Sequence, residues 1–239
     1  MDLDPRNQII VALDVPTLRE AHLLAEQLTG HVGGFKVGLE LLTSEGAPEV
    51  VRELLRFGLL FYDGKFDDIP NTVSGASKAV ANMGVWMFNV HASAGIDVMF
   101  AAVDNKGSAM VTAVTVLTSR EENDAHTTFH SPTKAKVLQM AREAVLAGCD
   151  GIVCSPQELP LIKSRRELKR LLTVVPGVRP LWASPGDQKR VMTPGEAVKA
   201  GADYLVIGRP ITKPPVEIGG PVEAVQKILE EITAAMAAA

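Results

Sequence analysis

Short apolar runs alternate with longer amphipathic stretches along the whole chain. Residues 9–13, 59–61, 85–90, 109–116, 151–154, 172–175 and 204–207 are largely apolar, and Gly34-Phe35-Lys36-Val37-Gly38 is a further strand candidate. Such runs suit parallel strands that are buried on both faces. Between them the spacing turns helical. Thr17 caps a predicted helix over 18–28, a second covers 39–57, and Pro70 and Asn71 open a third that continues through about residue 83. Further helices are predicted over 94–105, 131–146, 156–170, from Thr193-Pro194-Gly195-Glu196 onward, and over 221–235. Ser/Thr caps and Pro at the first helical position mark several of these starts. Two stretches read as loops: 118–131, polar and weakly patterned with about one helical turn, and 176–192, rich in Pro, Gly and charge. Both have the length of mobile active-site loops.

Eight strands, each followed by helical or loop material, predict an α/β fold with a parallel sheet closed into a (β/α)₈ TIM barrel. No change of composition marks a linker, so residues 1–239 are expected to form one catalytic domain. The alternative, an open doubly wound sheet, is weakened because no G-x-G-x-x-G follows the first strand.

Composition narrows the partners. The 239 residues fall near the ~250 typical of a single barrel. A formal charge of −4 gives no broad attraction for nucleic acid or an anionic membrane surface. No apolar run reaches the roughly 20 residues of a membrane span, and the polar first seven residues carry no signal core. The chain is therefore expected in the cytoplasm, without membrane or nucleic-acid partners. Its two cysteines, Cys149 and Cys154, flank a strand and read as buried reduced thiols. With five scattered histidines they form no metal-ligand spacing, so no metal site is expected.

In a barrel of this kind, function sits at the carboxyl ends of the strands. The polar residues found there are Asp14, Lys36, Asp63 with Lys65, Asn89 with His91, Thr118 with Ser119, and Gly208 with Arg209. Side chains alternate along a strand, so Leu59, Phe61, Asp63 and Lys65 share a face that runs from core into a charged pocket. A structural salt-bridge network would use the same residues. Gly208 lets backbone approach a ligand and Arg209 supplies a fork suited to phosphate. With Gln188 in the preceding loop, they favour a phosphorylated small molecule. His91 reads as a hydrogen-bonded structural histidine.

The run Asp63-Gly64-Lys65-Phe66-Asp67-Asp68-Ile69-Pro70-Asn71-Thr72-Val73 resembles the D-x-K-x-x-D-I-P-N-T-V signature of the orotidine 5′-phosphate decarboxylase family. The likeness extends to Val11-Ala12-Leu13-Asp14, Phe35-Lys36-Val37-Gly38, Asn89-Val90-His91-Ala92, residues 114–119, residues 176–180, residues 187–190 and residues 208–212. Two positions depart from it: the family usually carries a bulky apolar residue at Gly64 and histidine at Asp67.

The resemblance implies decarboxylation of orotidine 5′-monophosphate (OMP) to UMP, in de novo pyrimidine biosynthesis, with no metal or organic cofactor. It implies Lys65 as proton donor to the pyrimidine, Asp63 beside the substrate carboxylate, and Lys36 and Asp14 on the ribose. By the same likeness Thr118 meets the ring, Gln188, Gly208 and Arg209 hold the phosphate, and Arg179 belongs to the loop that closes over it. Asp68 and Thr72 would reach into the neighbouring subunit's site of a homodimer. Two other readings remain: a related Mg²⁺-dependent phosphosugar decarboxylase or aldolase on the same barrel, and a non-catalytic nucleotide-binding barrel.

Overall fold

The computed structural model describes residues 4–120, 122–183 and 192–237. Eight strands form the centre: β1 (Ile9–Ala12), β2 (Gly34–Val37), β3 (Leu59–Phe66), β4 (Met87–His91), β5 (Met110–Val114), β6 (Gly151–Val153), β7 (Leu172–Pro176) and β8 (Tyr204–Ile207). All neighbours pair in parallel, and β8 pairs back to β1 through Ile9↔Leu205, Ile10↔Val206 and Val11↔Ile207, so the sheet is a closed barrel. Each apolar run of the sequence became a strand in the expected order.

Alternation along the strands sorts side chains into two layers. Ile10, Ala12, Phe61, Met87, Val174 and Val206 pack together in the barrel interior. Their neighbours in sequence, such as Ile9, Val11, Leu60 and Phe88, face outward into a larger cluster under the helices. Each fully buried side chain of this size contributes roughly 1.5–3 kcal/mol. The interior of a (β/α)₈ barrel is thus a packed floor, and a ligand is confined to the rim above it.

Several helices differ from the periodicity. The stretch 39–57 divides into Leu39–Glu45, Ala47–Leu54 and a 3₁₀ turn Leu55–Phe57. The break is at Gly46, whose φ of 84° lies in the left-handed region, with Pro48 opening the next segment. The 156–170 stretch is a 3₁₀ turn, a short helix Leu159–Lys163 and a second 3₁₀ turn Arg166–Leu168. Within 118–131, read as a loop with one turn, residues Glu122–Phe129 form a helix.

One irregularity in the sheet bears on function. Between β3 and β4 the register runs Phe61↔Met87, Tyr62↔Phe88 and then Phe66↔Val90. Four steps along β3 therefore match two along β4, and the surplus forms a bulge that contains Asp63, Gly64 and Lys65. Bulges of this kind re-aim side chains and are common beside active sites.

Candidate active site

The carboxyl ends of the strands surround a cavity of about 410 Å³. Asp14, Lys36, Asp63, Lys65, Thr118, Arg179, Gly208 and Arg209 all line it. These residues come from six different parts of the chain and meet because the barrel closes. Phe61, Val114, Val153 and Val206 form its apolar floor, and Cys154 and Thr212 add to the wall.

Four of the polar residues form a line of alternating charge. Lys36 Nζ lies 2.9 Å from Asp14 Oδ1 and 3.1 Å from Asp63 Oδ2. Lys65 Nζ lies 2.6 Å from Asp63 Oδ1. Asn89 Nδ2 donates to the same Asp63 oxygen at 2.6 Å, and Asn89 Oδ1 accepts the Lys65 backbone N–H at 2.7 Å. Lys36 and Asp63 are only 7% and 8% exposed, so each stays charged only because opposite charges lie against it.

Charge balance decides their ionisation. Burial pushes the Asp63 carboxyl up, but the Lys36 and Lys65 ammoniums and the hydrogen bonds from Lys65 and Asn89 outweigh it and hold the group at about 2. Burial likewise pushes Lys36 down, and Asp63 with Asp14 more than compensate, so its value ends raised. Both groups are ionised at neutral pH. The negative charge that a divalent cation would neutralise is here balanced by lysines. Among the described residues no three His, Cys, Asp or Glu side chains gather as a metal-holding group.

Arg179 and Arg209 both line the cavity. Burial and the charge of Arg209 push the Arg179 guanidinium down. A dianion between them would relieve that repulsion.

Some expected site residues are elsewhere. Asp68 and Thr72 are exposed and do not line this cavity. Asp68 Oδ1 accepts the Ile69 N–H at 2.7 Å where the chain enters the helix Pro70–Asn82. Gln188 lies outside the described residues, as do Asp187 and the rest of 184–191. His91 ends β4 half-buried and is not part of the cavity lining. Cys154 follows β6 and could have been found by the same strand-end rule that found the others. Burial and the Asp150 carboxylate push Cys149 up to about 12, which keeps that thiol protonated and unreactive.

The comparisons with known proteins agree with this geometry. A profile described as the orotidine 5′-phosphate decarboxylase / HUMPS family matches residues 7–228. The chain belongs to that family. An orotidine 5′-phosphate decarboxylase of Geotalea daltonii is 46% identical over 240 aligned positions, covering 97% of this chain and 98% of its own. One from Geobacter sulfurreducens is 46% identical over 238 positions, covering 96% and 97%. Among solved structures, the orotidine 5′-phosphate decarboxylase of Lactobacillus acidophilus superimposes with a TM-score of 0.79 at 31% identity, over 94% of this chain and 98% of its own. Gly64 and Asp67, the two positions read from the sequence as departures from the family signature, lie between the charged residues of this strand end.

The departure at Gly64 has a visible structural counterpart. A Cβ placed there would overlap the Tyr62 ring and sit 3.1 Å from Phe66 Cε1. In this chain the space beside position 64 is filled by the rings of Tyr62 and Phe66.

Proposed function

We infer that this chain decarboxylates orotidine 5′-monophosphate to UMP and CO₂ in pyrimidine biosynthesis, with Lys65 as the proton donor. The observation that carries this reading is the charged line Asp14–Lys36–Asp63–Lys65, buried at Lys36 and Asp63, on a cavity that Arg179 and Arg209 also line. A nucleotide monophosphate has the matching layout, with an anion at one end and the reacting base at the other.

Loss of CO₂ breaks the bond between the carboxylate and carbon 6 of the pyrimidine and leaves an electron pair on that carbon. The Lys65 ammonium stabilises the developing charge and then transfers a proton to it; the lysine regains a proton from solvent. Preorganised charge of this kind is effective because nothing need reorient during the reaction. Asp63 lies beside the departing carboxylate and helps keep Lys36 protonated. Asp14 and Lys36 bind ribose hydroxyls, and Thr118 contacts the ring. Arg179, Gly208, Arg209 and Gln188 grip the phosphate, and binding energy from that remote group is available to order the reacting end. No metal or organic cofactor takes part in this scheme.

The functional unit in this reading is a homodimer of one-domain barrels in the cytoplasm, with Asp68 and Thr72 completing the partner's site. Two features support it: Asp68 and Thr72 are exposed rather than turned to their own cavity, and Ile69 between them is 65% exposed. An apolar side chain this open suits a covered surface.

The test is an absorbance assay of the purified chain with OMP in the presence of EDTA. Loss of the orotate chromophore is expected. An unchanged spectrum with tight UMP binding would mark a non-catalytic barrel, and turnover of phosphosugars that depends on added Mg²⁺ would mark the related decarboxylases; either overturns the assignment.

A further inference from the structure

Asn89 has no part in the scheme above, yet it is the most enclosed polar group at the reacting end, at 1% exposure. It stands on the inward face of β4, one alternation above Met87, beside the bulge of β3. In a regular parallel ladder the Lys65 N–H would find a backbone carbonyl on the adjacent strand. Here the surplus residues carry it out of register, and the Asn89 side-chain oxygen accepts it at 2.7 Å instead. Lys65 also has a φ of 49°, a left-handed conformation that residues with a side chain seldom adopt. The other end of the same amide donates to Asp63 Oδ1 at 2.6 Å, the oxygen that also receives the Lys65 ammonium. The amide orientation is unambiguous, since a carboxylate only accepts and a backbone N–H only donates.

We propose that Asn89 is a positioning residue of the decarboxylation: its amide ties the Asp63 carboxylate to the Lys65 main chain and so fixes the direction in which the Lys65 ammonium meets carbon 6. The proposal rests on Lys65 being the proton donor. Lys65 has four rotatable side-chain bonds, and its main chain lies in a bulge that the ladder does not hold. Asn89 restrains the first through Asp63 and the second directly.

The experiment uses the full chain and measures kcat and KM for OMP, and Kd for UMP, in Asn89→Ala and Asn89→Asp across pH 5 to 9. Misplacing a catalytic group by about an ångström costs roughly 100-fold, so Asn89→Ala is expected to lose about that in kcat with UMP affinity nearly unchanged. Asn89→Asp reproduces the amide's shape but can donate to Asp63 only when it carries a proton. That carboxyl would face Asp63 and Lys65 on β3, Lys36 on β2 behind Asp63, and His91 on its own strand, with the two carboxylates in contact raising the affinity for one shared proton. Its kcat relative to wild type should therefore climb as pH falls, whereas the deficit of Asn89→Ala should be flat.

A kcat within threefold of wild type in Asn89→Ala would overturn the proposal, as would equal losses in kcat and UMP affinity. If Asn89→Ala does not fold, a relative kcat of Asn89→Asp that is independent of pH overturns it alone. Lys65→Ala, run alongside, separates the two ideas. Wild-type turnover by Lys65→Ala removes the donor assignment itself, whereas an inactive Lys65→Ala with normal Asn89 variants removes only the role of Asn89.

Discussion

Lys36 and Asp63 come from adjacent strands and meet as a 3.1 Å ion pair that is almost wholly enclosed by the barrel. Removing one partner of such a pair strands the other charge and costs on the order of 3 kcal/mol. The Asp63 value of about 2 lies below its unpaired 3.8, so its contribution is complete above pH 3.8 and disappears as pH falls through 2. Lys36 is raised, so its contribution is present below 10.5 and is lost as pH climbs past its folded value. Urea unfolding of wild type and Asp63→Asn should show a gap at pH 6 that closes toward pH 2. A gap that holds steady in acid would mean that Asp63 is not the ionised partner.

Lys65→Ala should abolish decarboxylation by several orders of magnitude while leaving UMP binding and the melting temperature close to wild type. Asp68→Ala should also be inactive by itself. Mixed and re-equilibrated, the two variants should regain activity, because a heterodimer holds one site with both Lys65 and the partner's Asp68 position intact. No recovery on mixing would count against a shared site.

Arg209→Ala should weaken UMP binding much more than uridine binding. A charge-assisted contact to phosphate is worth roughly 1.5–3 kcal/mol, or about 10- to 100-fold in affinity. Calorimetry with both ligands checks this. Equal losses for UMP and uridine would place the phosphate away from Arg209.

Gly64→Leu should destabilise the barrel by about 1–3 kcal/mol, since the Tyr62 ring already occupies the space a side chain there would enter. Gly64→Leu combined with Tyr62→Leu should recover most of that loss. Urea midpoints of both single variants and the double give the answer, and losses that simply add would show that the positions are independent.

The strand order and most residues that line the cavity were legible because both follow from local pattern. An apolar run that ends in Asp, Lys or Arg describes a strand and its rim in one reading, as at Leu13-Asp14 and Ile207-Gly208-Arg209. What was not legible depends on neighbours distant in sequence. The bulge of β3 exists only in relation to β4, and its one local hint within 59–66 is Gly64. Asn89 could be placed at a strand end, but its bonds to Asp63 and Lys65 span about two dozen residues. The helix Glu122–Phe129 buries only Ala125, which leaves too weak an apolar stripe to read; Phe129 is instead sandwiched by Arg120 and Lys136 at 5.6 and 5.5 Å. The break at Gly46 was visible as Gly-Ala-Pro and was overridden by the continuous helical spacing on either side of it.

The pairing of β8 with β1 has a consequence for the chain during its synthesis. A ribosome-bound polypeptide that has emerged only as far as β7 already carries Asp14, Lys36, Asp63 and Lys65, but the edge against which β1 must close does not yet exist. Arg209 follows that missing strand directly. With Arg209 holding the phosphate as proposed above, full nucleotide affinity is expected only once the final strand docks, so that ligand affinity would report whether the ring has shut.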